Sequence, residues 1–318
     1  MLPRRTAGEP PSLALGTMNF GKRTTAAESE RIVRRALERG IQVFDTANAY
    51  AEGESERILG RALGPDRGRV VVATKVGFGR VAGQLEGLEP DVLERSLAAS
   101  LGRLGTERVD VYYLHVPDHR TPIERTLDGM KALVDSGRVG GWGVSNFAAW
   151  QILEMNGLAA ARGLAPPVIS QVLYNALHRQ LEVEYFAFAR RHPIHTTVFN
   201  PLAGGLLAGT HRFDDEPPKG TRFDSNAFYR RRYWTRPMFD RVEQLREVAR
   251  AEGLTMVQLA YAWVASRAEV DSVLVGPASV EQLDDALDAV GRVLTAGALA
   301  RVDELWRVWS GTDTNYVR

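Results

Sequence analysis

The chain has 318 residues, 44% of them hydrophobic, which is enough to bury a full core. Its 40 Lys and Arg nearly balance 39 Asp and Glu, so the basic excess expected of a nucleic-acid-binding domain is absent. It contains no cysteine, which excludes disulfides, thiolate nucleophiles and cysteine-based metal centres. Pro10 and Pro11 interrupt the basic N-terminus, and no apolar run suits a membrane span. These features predict a cytoplasmic globular protein without a membrane or nucleic-acid partner.

Eight short apolar runs alternate with longer segments of helical period. In chain order the runs are LALGTM (13–18), IQVFDT (41–46), VVVATK (70–75), VDVYYLH (109–115), VGGWGVS (139–145), VISQV (168–172), IHTTVF (194–199) and VDSVLV (270–275). Continuous apolar runs are typical of strands buried on both faces. Eight such repeats without a Gly-rich fingerprint after the first strand favour a closed barrel over a doubly wound sheet. The sequence predicts one (β/α)8 TIM barrel domain over 1–318, with an irregular loop at about 200–236 and an extra helix at 296–309.

Polar residues close several of these runs. Asp45 closes the second run and Tyr50 follows it, while Lys75 closes the third and His115 the fourth. Each could have a structural role alone, as a helix cap, a snorkelling lysine or a core histidine. The C-terminal ends of barrel strands, however, meet at one mouth. Four titratable groups at consecutive strand ends therefore predict an active site.

The chemistry of such a mouth follows from the residue types. A Tyr hydroxyl is a weak acid at neutral pH, and a neighbouring ammonium favours its phenolate. Asp45 would keep a buried Lys75 charged, and a neutral His115 could donate a hydrogen bond to a carbonyl oxygen. This set can protonate a carbonyl oxygen while a hydride reaches the carbonyl carbon.

A nicotinamide cofactor follows from that chemistry, because protein side chains do not supply hydride. Ser145 and Asn146 close the fifth run and Gln171 lies in the sixth. Their hydroxyl and amide groups provide the donors and acceptors that a carboxamide needs. We therefore expect these three residues to hold the nicotinamide.

A metal site is the alternative for the same cleft. The segment HVPDH offers His115, Asp118 and His119, with Asp45 as a further ligand. His115 and His119 are four residues apart in a strand and loop, where that spacing does not place them on one helical face. The sequence therefore favours no metal.

Several motifs resemble those of the aldo-keto reductase superfamily over nearly the whole chain. They are DTANAY (45–50), ATKVG (73–77), YYLHVPDH (112–119), GVSNF (143–147), YN (174–175) and NPLAGGLLAG (200–209). The resemblance implies a (β/α)8 barrel that reduces small aldehydes or ketones to alcohols with NADPH. It implies a catalytic tetrad of Asp45, Tyr50 as proton donor, Lys75 and His115, with Ser145, Asn146 and Gln171 on the nicotinamide. The last motif implies a loop along the cofactor pyrophosphate, with contacts from Asn200, Leu202 and Gly204.

The cofactor positions depart from the family pattern at three points. Phe199 stands where the residue stacked on the nicotinamide is usually Tyr or Trp, and it keeps the aromatic face. The segment VGPASVEQLDDAL (275–287) matches the adenosine-phosphate stretch, yet Ala278 replaces a common Arg and Ala286 a common Asn. The remaining adenosine-side candidates are Arg222, Gly276, Gln282 and Asp285. NADPH is the predicted cofactor, and NADH stays open.

Finer motifs resemble the aflatoxin-aldehyde and succinic-semialdehyde reductase branch. They include PDHRTPIERTL (117–127), RRYW (231–234) and the closing NYVR (315–318). The branch resemblance implies that Arg232 and Arg318 bind a substrate carboxylate, as two guanidinium groups on a semialdehyde acid would. It also suggests a homodimer. A rival role remains, because some superfamily members are cofactor-binding regulatory subunits of ion channels, although the intact tetrad favours an enzyme.

Overall fold

Eight parallel strands form a closed barrel in the computed structural model, which describes residues 3–6, 8–224 and 226–311. Each strand pairs with the next along the chain, and the eighth pairs with the first. The strands are β1 Ser12–Gly16, β2 Val43–Asp45, β3 Val71–Val76, β4 Val109–Leu114, β5 Val139–Ser145, β6 Ile169–Leu173, β7 His195–Phe199 and β8 Ser272–Val275. The predicted (β/α)8 barrel is confirmed, because each strand overlaps one of the apolar runs and extends beyond it by at most one residue.

Helices surround the barrel and connect its strands. They are α1 Ala26–Glu38, α2 Glu54–Leu63, α3 Pro90–Leu104, α4 Ile123–Asp135, α5 Ala149–Ala161, α6 Tyr185–Arg191, α7 Ala227–Tyr233, α8 Arg236–Ala251, α9 Met256–Ala265, α10 Val280–Val290 and α11 Ala296–Ser310. The first helix shows why they form. The Thr25 side chain accepts a hydrogen bond from the backbone N–H of Glu28, and Ile32, Val33 and Ala36 form its buried face.

The core has two layers, one on each side of the strands. The larger layer lies between the barrel and its helices and includes Phe44, Trp142 and Val198, each 1% exposed or less. The smaller layer consists of Ala73, Val111, Tyr113 and Ile169. Lys75 Nζ lies 5.6 Å from the centroid of the Tyr113 ring. This smaller layer therefore forms the floor on which the polar strand ends rest.

Two parts of the structure differ from the sequence prediction. A small hairpin, with strands Arg80–Val81 and Gln84–Leu85, follows β3 and was not predicted. The segment at 200–236 is not irregular throughout, because it contains a 3-10 segment, Ala203–Ala208, and helix α7. The predicted C-terminal helix is confirmed as α11. None of the helices in the described part of the chain is long and apolar enough to cross a membrane.

Candidate active site

A buried ion pair lies at the ends of β2 and β3. Lys75 Nζ donates hydrogen bonds to Asp45 Oδ1 and, at 2.8 Å, to the carbonyl of Thr46. The other Asp45 oxygen accepts a hydrogen bond from Gln171 Nε2 at 2.8 Å. Lys75 is 0% exposed and Asp45 2%. Both charges are therefore held in a dry environment, and both have partners.

The pKa values of this pair reflect a competition between burial and pairing. Burial raises the pKa of Asp45, and the opposing effects of Lys75 and Gln171 do not fully offset it. For Lys75, burial acts to lower the pKa, but Asp45 and Tyr50 together outweigh it, so the pKa lies above its ordinary value. Lys75 consequently remains an ammonium at neutral pH, as the sequence predicts.

Tyr50 lies directly above this ammonium. Its hydroxyl oxygen is 3.4 Å from Lys75 Nζ, which also lies 5.0 Å from the centroid of the ring. Burial raises the pKa of Tyr50, and the lowering effect of Lys75 is the smaller of the two. The residue types alone predict the effect of lysine on the Tyr50 pKa but not the larger effect of burial. The hydroxyl therefore keeps its proton at neutral pH in this structure.

The turn after Tyr50 fixes its position. Ala51, Glu52 and Gly53 all have positive φ, at 47°, 54° and 86°, a conformation that costs energy in the first two residues. A Cβ on Gly53 would lie 2.5 Å from the Arg103 side chain and would displace it, and residues with a side chain rarely adopt the positive φ of this position. Strained backbone of this kind clusters at functional sites, and here it directs the chain from β2 into α2 immediately after the candidate proton donor.

A hydroxyl cluster anchors the N-terminus of α2 to the barrel. The Ser55 hydroxyl lies 2.7 Å from Thr17 Oγ1 and 3.0 Å from Thr46 Oγ1, and it donates to the Thr17 carbonyl at 2.9 Å. Thr17 follows β1 and Thr46 follows β2, so this cluster ties the two strand ends to the helix. It thereby holds the Tyr50 turn over the ion pair.

His115 follows β4 at the same mouth. Its ring meets the Tyr50 ring edge-on, with centroids 6.0 Å apart and an interplanar angle of 80°. Burial, and then the charge of Lys75, lower the pKa of His115 well below its ordinary value. Its Nδ1 atom is buried and has no hydrogen-bond partner among the described residues. The imidazole is therefore neutral at neutral pH and can donate one hydrogen bond.

The predicted nicotinamide contacts lie along the neighbouring strand ends. Ser145 ends β5 and is buried, whereas Asn146 is exposed with φ 63°. Asn146 Nδ2 donates to the His115 carbonyl and to Ser145 Oγ, each at 3.0 Å. Phe199, partly exposed, ends β7. The structure thus brings Ser145, Asn146 and Phe199 to the mouth, while Gln171 is bonded to Asp45.

Hydrogen bonds of the Asn200 side chain hold the loop after β7 in place. The side chain of Asn200, which has φ 65°, accepts from the Gly204 N–H at 2.7 Å and donates to the Tyr233 hydroxyl at 2.8 Å. Leu202 is partly buried against the core. Gly204 and Gly205 have φ of 74° and 107°. Because the Asn200 side chain is occupied, the loop offers a ligand its backbone groups, as anion-binding turns do.

The predicted adenosine-side residues are spread around the end of β8. Arg222 donates to the Tyr229 hydroxyl at 3.1 Å, and a Cβ on Gly276 would lie 3.1 Å from the Arg222 guanidinium. Gln282 accepts from the Ala278 N–H at 2.9 Å, so its side chain serves the turn before α10. Asp285 is exposed on α10. Arg222 and Gly276 are therefore close together, and Gln282 has a structural partner.

Of the two predicted substrate arginines, only Arg232 can be located. Its guanidinium carbon lies 4.4 Å from the centroid of the Phe228 ring and 6.0 Å from that of Tyr233. Tyr233 also meets His178, with ring centroids 5.0 Å apart. Burial, followed by the charges of Arg232 and Arg241, lowers the pKa of His178 to about 4. Arg318 lies outside the described residues, so a meeting of the two arginines stays a prediction.

Three residues near the mouth were not predicted from the sequence. Phe78 is 47% exposed, and its ring centroid lies 5.1 Å from that of His115. Glu86 holds this loop by accepting hydrogen bonds from the N–H groups of Gly77 at 2.8 Å and Gly79 at 3.0 Å. An aromatic residue three positions after Lys75 was a usable signal for Phe78. Arg23, the third, approaches Arg222 only through the fold.

The metal alternative finds no support in the described residues. Asp118 accepts hydrogen bonds from the Leu88 N–H at 2.9 Å and from Thr121 Oγ1 at 2.8 Å, so its carboxylate organises its own loop. Over residues 3–6, 8–224 and 226–311, no group of three or more His, Asp or Glu could hold a metal ion. His115 therefore lies beside Tyr50 and Phe78 without a set of metal ligands around it.

Comparison with known proteins identifies the family. The aldo/keto reductase family model matches residues 12–307. Aflatoxin B1 aldehyde reductase member 2 of Rattus norvegicus is 35% identical, covering 99% of this chain and 90% of that protein. Human aldo-keto reductase family 7 member A3 is 35% identical, covering 97% of both chains. A probable voltage-gated potassium channel subunit beta of Arabidopsis thaliana is 33% identical, covering 91% of this chain and 90% of that protein. The chain belongs to the aldo/keto reductase family and is an oxidoreductase.

Proposed function

We propose that this member of the aldo/keto reductase family reduces small aldehydes and ketones to alcohols with a nicotinamide cofactor, using Tyr50 as the proton donor. The observation that carries the proposal is the Tyr50 hydroxyl, 3.4 Å from an ammonium that is itself bonded to Asp45. Neutral His115 lies beside it. A protonated phenol, a fixed cation and a neutral donor in one mouth suit carbonyl protonation better than any other common reaction.

The residues around the mouth fit a nicotinamide dinucleotide. Asn146 keeps its amide oxygen after donating twice, and Phe199 provides an aromatic face at the adjacent end of β7. The loop containing Gly204 and Gly205 turns its backbone in the manner of anion-binding loops. Arg222, in the segment after β7, adds a cation beside Gly276, which follows β8. A phosphate site built from the loops after the last two strands is frequent in this barrel fold.

The chain's own residues divide the chemistry among them. When bound, the cofactor supplies a hydride to the carbonyl carbon. His115 donates a hydrogen bond to the carbonyl oxygen and orients it towards the phenol. Tyr50 transfers its proton to that oxygen, which completes the alcohol, and Lys75 stabilises the phenolate that remains. Asp45 keeps Lys75 charged throughout, because an isolated buried ammonium would lose its proton.

The proposal is tested by Tyr50→Phe, which removes only the hydroxyl. We expect kcat for aldehyde reduction to fall about 10²- to 10⁴-fold, the usual contribution of a general acid, while the cofactor dissociation constant stays unchanged. Steady-state kinetics and a fluorescence titration measure the two quantities. Tyr112→Phe is the matched control, because it removes a buried hydroxyl that bonds the Leu93 carbonyl away from the mouth. Near-normal turnover by Tyr50→Phe would overturn the mechanism.

Two finer points extend the proposal. The substrate preference is for aldehydes that carry a carboxylate, supported by Arg232 on α7 and by the resemblance to relatives named aflatoxin aldehyde reductases. The cofactor preference is for NADPH, supported by Arg222 beside Gly276. A cytoplasmic location and a homodimer stay predictions from the sequence.

A regulatory role is the second candidate, because some relatives are named as probable potassium channel subunits. Such a protein would bind the cofactor and have little turnover. The same titration and a panel of matched charged and uncharged aldehydes separate the two roles. Cofactor binding without reduction of any aldehyde on the panel would favour the regulatory role over the enzyme.

A further inference from the structure

Two arginines from distant parts of the sequence meet at the β1 and β8 side of the mouth. Arg23 lies in the loop after β1, and its Nε donates to the carbonyl of Thr221 at 3.2 Å, one residue before Arg222. Asn19 connects both to the end of β8, because it lies 3.5 Å from an Arg23 nitrogen and donates to the Gly276 carbonyl at 3.0 Å. A Cβ on Gly276 would in turn lie 3.1 Å from Arg222. The two guanidinium groups therefore share one small region.

Neither arginine has a directly bonded acid within the described part of the chain. Within the described residues neither Arg23 nor Arg222 forms an ion pair. Burial, and then repulsion by Arg222, lower the pKa of Arg23, and the opposing effects of Tyr229 and Asp224 do not offset them. Asp224 accepts a hydrogen bond from the Gly220 N–H at 2.9 Å. Two neighbouring cations, neither of which is ion-paired to a carboxylate among the described residues, form a ready site for an anion.

The N–H groups at the start of α10, which could also bind an anion, are already used within the protein. The Val280 N–H donates to Glu28 Oε1 at 3.0 Å, and the Ala278 N–H donates to Gln282 Oε1 at 2.9 Å. The Gln282 N–H donates to Ser279 Oγ at 3.3 Å. These donors at the helix start already have partners inside the protein, and Ala278 has no charge. An anion bound here would depend on the arginines.

The order of the strands identifies the part of the cofactor that would reach this region. The candidate nicotinamide contacts follow β5 and β7, and the turn at Gly204 and Gly205 comes next along the chain. β8 and then β1 are the next strands around the closed barrel. If the nicotinamide lay at the ends of β5 and β7 and the pyrophosphate along the turn at Gly204 and Gly205, the adenosine end would extend towards the arginine pair.

We propose that Arg23 and Arg222 together bind the 2′-phosphate of NADPH, so that Arg23 takes the place of the arginine missing at Ala278 and sets the preference for NADPH. The inference rests on the proposed function, which supplies the cofactor. Guanidinium groups suit a phosphate because they form bidentate, charge-assisted hydrogen bonds. A hydroxyl, as NADH has at that position, gains little from two cations.

The test compares phosphorylated and unphosphorylated ligands in Arg23→Gln. We expect the dissociation constants for NADPH and for 2′,5′-ADP to rise about 10- to 100-fold, the range for a charged hydrogen bond. Those for NADH and 5′-AMP should hardly change. Arg23→Lys keeps the positive charge but cannot form bidentate hydrogen bonds. Its dissociation constants for NADPH and 2′,5′-ADP should therefore lie between those of the wild type and Arg23→Gln. Fluorescence titration and calorimetry at one ionic strength measure these constants without turnover.

Arg57→Gln is the matched control, because it removes one positive charge from a half-exposed side chain on α2. It should leave all four constants unchanged. Equal losses for NADPH and NADH in Arg23→Gln would place Arg23 elsewhere on the cofactor and overturn the inference. A wild-type preference for NADH would also overturn it. If Arg23→Gln reduced aldehydes with an unaltered cofactor choice, this inference alone would fail. If the wild-type protein bound neither NADPH nor NADH, the proposed function would fail as well.

Discussion

The floor and the rim of the barrel mouth differ in whether their charged side chains have partners within the protein. On the floor, Lys75 and Asp45 are at most 2% exposed, and each charge has a partner. On the rim, Arg23, Arg222 and Arg232 are partly exposed, and none forms an ion pair among the described residues. A charge on the floor has to be balanced by the protein itself, whereas a charge on the rim can be screened by water until a ligand arrives.

This difference separates chemistry from recognition. A buried pair keeps its geometry and its protonation through the reaction, which a proton-transfer device needs. Half-exposed arginines tolerate the absence of a partner at little cost and gain strongly when an anion binds. Substitution of the buried charges on the floor should therefore reduce stability and turnover together. Substitution of an arginine on the rim should weaken only the binding of anionic ligands.

The largest effect is expected from Lys75→Met, which leaves Asp45 buried without its cation. The free energy of unfolding should fall by about 3–5 kcal/mol at neutral pH, as for other broken buried pairs. Turnover should fall about 10²- to 10⁴-fold, because Tyr50 loses the cation that stabilises its phenolate. Urea unfolding and steady-state kinetics measure both losses.

The double variant Asp45→Asn with Lys75→Met is the control for that prediction. It removes both charges, so it should recover much of the lost stability and none of the turnover. The pH dependence of Lys75→Met adds a check on the cause. An unpaired buried carboxyl has a raised pKa, so the variant should become relatively more stable as the pH falls towards that pKa and less stable as it rises. A stability deficit independent of pH would contradict a cause in the Asp45 charge.

A medium effect is expected on the rim from Arg232→Gln. Its kcat/KM for an aldehyde carrying a carboxylate should fall. The fall should correspond to a loss of about 1–3 kcal/mol in transition-state binding, the value of a charged hydrogen bond. The value for an uncharged aldehyde of similar size should hardly change. Arg231→Gln is the control, since the neighbouring Arg231 is exposed. Equal losses on both aldehydes would refute a carboxylate contact at Arg232.

The smallest effect concerns His178, which stands beside the rim. Its pKa of about 4 lies below the ordinary value of 6.5, so the unfolded chain binds the proton more readily than the folded one. The stability this contributes is present above about pH 6.5 and is lost as the pH falls towards 4. We expect His178→Gln to reduce the change in the free energy of unfolding over that pH range by on the order of 1 kcal/mol, a value that allows for solvent screening of the partly exposed side chain. Urea unfolding at several pH values measures this change. The exposed His119→Gln should leave the slope unaltered, and a similar flattening in that control would refute the role of His178.

Much of the fold and the floor was predictable because both depend on local patterns. Each strand is a short apolar run, and Asp45, Lys75 and His115 lie within one residue of strand ends, so their convergence follows from the barrel. The hairpin that presents Phe78 was not predictable. Its two strands contain only two residues each, and Glu86 fixes the loop through hydrogen bonds that no periodicity reveals.

The sequence by itself determined the barrel, the four groups at its mouth and the need for a hydride source, because strand periodicity and side-chain chemistry are properties of short segments. The tertiary structure decided how those groups behave. Burial, which only the closed fold provides, outweighs Lys75 in setting the pKa of Tyr50. Closure of β1 against β8 likewise brings Arg23 to Arg222, since loops far apart in the chain become neighbours only when the last strand pairs with the first.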